Sequence, residues 1–125
     1  MLFRSFERFP RLKVAFLEAG CGWVPYLIER IDRRTERSGH HLATEQVRDH
    51  PVYFHAELAE RQILPLALSV VGEDRFLYAS DFPHEPDDEI MEVLEAFLAR
   101  EDVSQSAKQK ILCDNIEALY MLQAA

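Results

Sequence analysis

Apolar positions along the chain alternate between short continuous runs and stripes at helical spacing. Leu12 to Glu18, LKVAFLE, is such a run, and after AGCGW the residues Val24, Leu27, Ile28 and Ile31 recur at helical intervals. This predicts a strand, a glycine turn and a helix, with Pro25 in the first helical turn, where a missing N–H breaks no bond. The polar stretch from Ser38 to His50 predicts a long connection ending at Pro51. Val52 to Ala56, VYFHA, is rich in strand formers, and Ile63, Leu66, Ala67, Val70 and Val71 follow as a second helical stripe with Pro65 in its first turns. GEDR ends that helix, Phe76 to Ser80 predicts a third strand, and Asp-Phe-Pro-His a turn. Ile90, Val93, Leu94, Phe97 and Leu98 mark another helix, with Asp87, Asp88 and Glu89 at its electropositive N-terminus. A last helix starts near Ser104 and carries Leu112, Ile116, Leu119 and Tyr120. The fold class is therefore α/β: parallel, adjacent strands at 12–18, 52–57 and 76–81, in that order, with helices on the outer face.

Composition narrows the function classes. The 125 residues, 48% hydrophobic and 29% charged, suit one small globular domain or a piece of a larger one. A net charge of -8 speaks against a nucleic-acid partner. The basic tract Arg30 to Arg37 is interrupted by Asp32 and Glu36 and reads as a solvated helix end. Cys21 and Cys113 are far apart and read as free thiols. No apolar run approaches the ~20 residues of a membrane span, and MLFRSFERFPRLK has no following export-signal core, so the expected location is cytoplasmic with no membrane partner. A three-stranded sheet covered on one face would leave two edges and an apolar inner face open, which predicts self-association into a homo-oligomer.

In sheets of parallel strands joined by helices, ligands bind beyond the carboxyl ends of the strands. All three predicted strands end in ionisable residues: Glu18, the pair His55 and Glu57, and Asp81. The two-residue period puts Val14, Phe16 and Glu18 on one face and Leu77, Ala79 and Asp81 on one face, so Glu18 and Asp81 would converge if those faces share an interior. Bland roles compete. Acids cap helix starts, a histidine in an apolar strand is commonly a hydrogen-bonded core residue, and His84 suits a surface turn as well as a ligand. Cys21 has no visible base partner and is a poor nucleophile candidate.

Three blocks, RFPRLKVAFLEAGCGWVPYLIERID, VGEDRFLYASDFPH and KQKILCDNIEALYML, resemble the last three βα units of the metal-dependent amidohydrolase superfamily, nearest the branch similar to aminocarboxymuconate-semialdehyde decarboxylase. The resemblance implies that residues 1–125 are the C-terminal segment of a TIM-like (β/α)8 barrel domain. It further implies a hydrolase or decarboxylase holding a divalent metal, commonly zinc, and acting on a small carbonyl or carboxylate substrate. Asp81 matches the family aspartate that ends strand eight, binds the metal and moves protons, with His84 as a further metal donor and Glu18 as a catalytic candidate. The sequence departs from the family in two respects. Glu18 stands where the decarboxylase branch has a histidine, and no His-x-His pair or strand-five histidine is present. The expectation is weak or absent metal binding by this chain alone. The competing expectation is a non-catalytic α/β binding or scaffold module stabilised by self-association.

Overall fold

The apolar runs pair as a sheet, over fewer residues than their length. The computed structural model describes residues 2–36 and 42–121. In it β1 (Val14–Phe16), β2 (Val52–His55) and β3 (Phe76–Leu77) are parallel in the order β1-β2-β3. Val14 lies opposite Val52, and Phe54 opposite both Phe16 and Phe76. These five residues share one sheet face and pack against Val24 and Ile28 of α2 (Trp23–Thr35) and Leu64 and Ala67 of α4 (Ile63–Val71). Phe16 and Phe54 stack at 5.8 Å, and Trp23 meets both edge-on at 5.5 and 5.6 Å. Apolar burial is the main favourable term in folding, and these rings contribute to it, Phe54 buried and Phe16 and Trp23 partly buried against the core.

The opposite face carries Tyr53, His55 and Leu77, and all three are buried. The expectation of an open apolar inner face is therefore not met. The outer edge of β3 is also occupied, by the C-terminal segment. After α5 (Asp87–Leu98), Ser104 caps α6 (Gln105–Gln109), its Oγ accepting from the Ala107 amide at 3.0 Å. A π-helical stretch, Lys110–Asp114, then leads into α7 (Asn115–Tyr120). Tyr78 N–H donates to the Ile111 carbonyl at 3.0 Å, and Asn115 Nδ2 donates to the carbonyls of Glu73 and Phe76 at 2.8 and 2.6 Å. At the other end of α7, Lys13 Nζ donates to the carbonyls of Ala118 and Leu119, satisfying helix-end acceptors with a cation. The C-terminal segment thus reaches from β3 to the start of β1.

Two helices were not foreseen: α1 (Leu2–Arg8) and α3 (Ala43–Asp49), the latter inside the stretch expected as a connection. Residues 37–41 of that stretch lie outside the described residues. Asp32, which interrupts the basic tract, accepts from the Ala43 and Thr44 amides and so caps α3. Arg30, Arg33 and Arg34 are exposed, as a solvated helix end requires. Among the described residues no helix is long and apolar enough to cross a membrane.

Candidate functional site

β1 and β3 stop short of the acids that drew attention in the sequence, and β2 ends on the first of its pair. β1 ends at Phe16, not Glu18; β2 at His55, not Glu57; β3 at Leu77, not Asp81. Strand alternation therefore does not aim the carboxylates. Both Glu18 (φ 58°) and Asp81 (φ 57°) turn the chain through the left-handed region. A residue with a Cβ is uncommon there and costs of order 1–3 kcal/mol, so its surroundings must hold it. The two acids nevertheless converge as expected: Glu18, His55, Glu57, Tyr78, Ser80 and Asp81 line one cleft of about 380 Å³ beyond the carboxyl ends of the strands. Larger hollows lie elsewhere, one beside Arg100 and one between α2 and α4. Arg100 is already committed to the carbonyls of Leu58, Glu60 and Arg61 and to Asp102, and the hollow between α2 and α4 lies away from the strand ends, with Asp32 there already accepting from the Ala43 and Thr44 amides. The strand-end cleft is the one that gathers polar groups from all three strand exits.

The Asp81 turn is closed without the Asp81 carboxylate. Its main-chain carbonyl accepts from the amides of His84 (2.8 Å) and Glu85 (3.4 Å), and Ser80 Oγ accepts from the Phe82 amide at 3.4 Å. The carboxylate lies 3.6 Å from Nδ1 of His84, whose side chain is 84% exposed. A capping acid spends its oxygens on amide donors; here none of the amides of the turn is bonded to them, and Asp81 is among the residues lining the cleft. His84 is beside Asp81 but is not among the residues lining the cleft.

His55 forms a buried part of the cleft wall, with both ring nitrogens engaged: Nδ1 accepts from the Glu18 amide and Nε2 meets the Ala79 carbonyl, each at 3.2 Å. The Tyr78 hydroxyl is held above the ordinary phenol range, first by burial and then by the carboxylates of Glu57 and Glu85. Tyr78 was missed in the sequence because its place in the cleft depends on which strand ends are neighbours, whereas His55, read there as a strand-end group and as a hydrogen-bonded core histidine, is buried with both ring nitrogens bonded. Among the described residues, no three His, Cys, Asp or Glu side chains are grouped to hold a metal ion. Asp81 and His84 offer two donors at most, and His55 has no free nitrogen, whereas a zinc site takes three or four protein ligands. These residues do not by themselves fit a complete metal centre.

Cys21, in the turn after β1, is a structural thiol. Its Sγ donates to Glu60 Oε2 at 3.1 Å, and its pKa is pushed up to about 12 by burial and then by Glu60. The same oxygen accepts the Cys21 amide at 3.3 Å. Gly20 (φ +57°) permits this approach, since a Cβ there would stand 2.9 Å from Glu60 Oε1. The thiolate is the nucleophile, so Cys21 is inert as folded. Two outcomes follow. A disulfide-exchange dye at pH 8 should label Cys21 only on unfolding. Stability should also fall as pH rises from the ordinary thiol value of 9.0 toward 12, where the unfolded chain loses the proton and the folded chain keeps it. Cys21→Ala should lessen that fall; rapid labelling of native Cys21 would contradict both.

The amidohydrolase family model matches residues 2–122. No curated protein sequence matches the chain. Among solved structures, an amidohydrolase from Mycobacterium avium subsp. paratuberculosis K-10 is 29% identical with a TM-score of 0.74, over 92% of this chain and 29% of that one. A dihydroxybenzoic acid decarboxylase from Polaromonas sp. JS666, solved with manganese and the inhibitor 2-nitroresorcinol, is 24% identical with a TM-score of 0.70, over 96% of this chain and 37% of that one. The 5-carboxyvanillate decarboxylase of Sphingomonas paucimobilis is 18% identical with a TM-score of 0.71, over 95% and 36%. The chain thus spans well under half the length of each of these three structures, and its parallel sheet and helices correspond to part of a TIM-like barrel. On the match of nearly its whole length, the chain belongs to the amidohydrolase family.

Proposed function

We propose that residues 1–125 form the C-terminal part of a barrel domain of a metal-dependent hydrolase or decarboxylase for a small carbonyl or carboxylate substrate. Asp81 serves as metal ligand and proton acceptor, His84 as an adjoining donor and Glu18 as the second acid of the cleft. The supporting observation is that the Asp81 carboxylate is left out of the hydrogen bonds of its own turn and that Asp81 and Glu18 line the same strand-end cleft. A carboxylate so placed can take a proton from a water or a substrate hydroxyl within hydrogen-bond reach. Because the cleft offers too few donors for a metal, the imidazoles belong to barrel units outside these residues, and zinc binding by the 125-residue chain is expected to be weak and without turnover. Zinc titration of the chain, together with Asp81→Asn in a longer barrel that includes it, tests the reading. Tight one-to-one zinc with turnover in the chain alone would overturn the assignment to part of a larger site.

A further inference from the structure

His55 stands at the end of β2, the middle strand, and is 5% exposed. The main-chain ladder joins β1 to β2 as far as Phe16 opposite Phe54, and β2 to β3 as far as the Ala56 amide on the Leu77 carbonyl. Beyond that level the imidazole takes over. Its Nδ1 meets the amide of Glu18, 37 residues away in sequence, and its Nε2 the carbonyl of Ala79, 24 residues away. An amide can only donate and a carbonyl can only accept, so both bonds form together in one state alone: the neutral ring with hydrogen on Nε2. One tethered residue is Glu18 itself, held in the left-handed region; the other lies two residues before Asp81, held in the same region.

We infer that His55 is a positioning residue that bridges the exits of β1 and β3 through its Nε2–H tautomer and thereby sets the spacing of the Glu18 and Asp81 carboxylates. This rests on the reading of the cleft as a functional site, and it assigns His55, the one buried histidine among the described residues, neither a metal nor a proton-transfer role, because either would break a tether. The fixed tautomer also gives the ring a direction. Its acceptor end serves only the Glu18 exit and its donor end only the Asp81 exit.

Ring-nitrogen and amide NMR of the 125-residue chain tests this. Unsubstituted, the His55 resonances should show a protonated Nε2 and a bare Nδ1. Loss of one hydrogen bond corresponds to about a tenfold change in exchange rate. His55→Asn, with its side-chain oxygen near the Nδ1 position, should leave the Glu18 amide exchange rate unchanged while the amides of Ser80, Asp81 and Phe82 shift. His55→Gln, with its amide nitrogen near the Nε2 position, should do the reverse. A proton on Nδ1, or Asn and Gln variants with indistinguishable spectra, would overturn the assignment, since a ring that only fills space has no such polarity. Asp81→Asn should leave the His55 ring signature in place. Failure of the proposed function would appear there in metal or activity assays alone, with the bridge intact.

Discussion

Phe76→Ala is expected to destabilise the chain by about 3–5 kcal/mol, the range for truncating a fully buried aromatic ring. Phe76 has no exposed surface, packs at 5.9 Å against Phe54, and sits on the core face of the strand that leads to Asp81. Alanine there removes transfer energy and leaves a void bounded by β2 and the C-terminal segment, which cannot collapse freely while Asn115 holds the Phe76 carbonyl. Against a typical domain stability of about 5–15 kcal/mol, this is a large fraction. Urea unfolding should show a lower midpoint with an unchanged slope. A loss below about 1 kcal/mol would mean that the β3 face is not the core face and that the strand-end geometry built on it is wrong.

The elements with the strongest apolar periodicity were legible in the sequence. Val52, Phe54 and Phe76 have no competing polar role, and the stripes of α2, α4 and α5 are wide enough to read. α3 was not legible because its buried apolar residues are few, Ala43 and Val47, and its cap comes from Asp32 on another helix. α1 was obscured by its charged residues, although Phe6 is buried and stacks on His50 at 4.5 Å. Strand lengths were overread for a physical reason. Past Leu77 the chain bonds to the π-helical stretch through Tyr78, not to a neighbouring strand, and past Phe16 it turns at Glu18. The convergence of Glu18 and Asp81 was thus foreseen through strand alternation but is produced by two left-handed residues. The covered outer edge of β3 was hidden because no local pattern announces that the Ile111 carbonyl and Asn115 bond its main chain, or that Lys13 reaches the far end of α7. The sequence shows no base beside Cys21; the structure places the Glu60 carboxylate there, and burial first, then the hydrogen bond and charge of Glu60, hold the proton on the thiol.

The second large effect concerns Asp81. Asparagine keeps the shape and the tolerance for a left-handed backbone, so the turn closed by the Asp81 carbonyl and Ser80 should survive. Because the side chain is partly exposed and its carboxylate caps nothing, stability should change by no more than about 0.5 kcal/mol. What is lost is the negative charge and the capacity to accept a proton, a function contributing typically 10²–10⁴ in rate when it is a general base. The most direct measurement is turnover and metal content of a longer barrel enzyme closed by these 125 residues, with and without Asp81→Asn, alongside its melting temperature. The account predicts a fall in kcat of at least about a hundredfold with weakened metal retention and an unchanged melting temperature. Activity and metal content equal to those of the unsubstituted enzyme would contradict it and leave Asp81 as a turn residue.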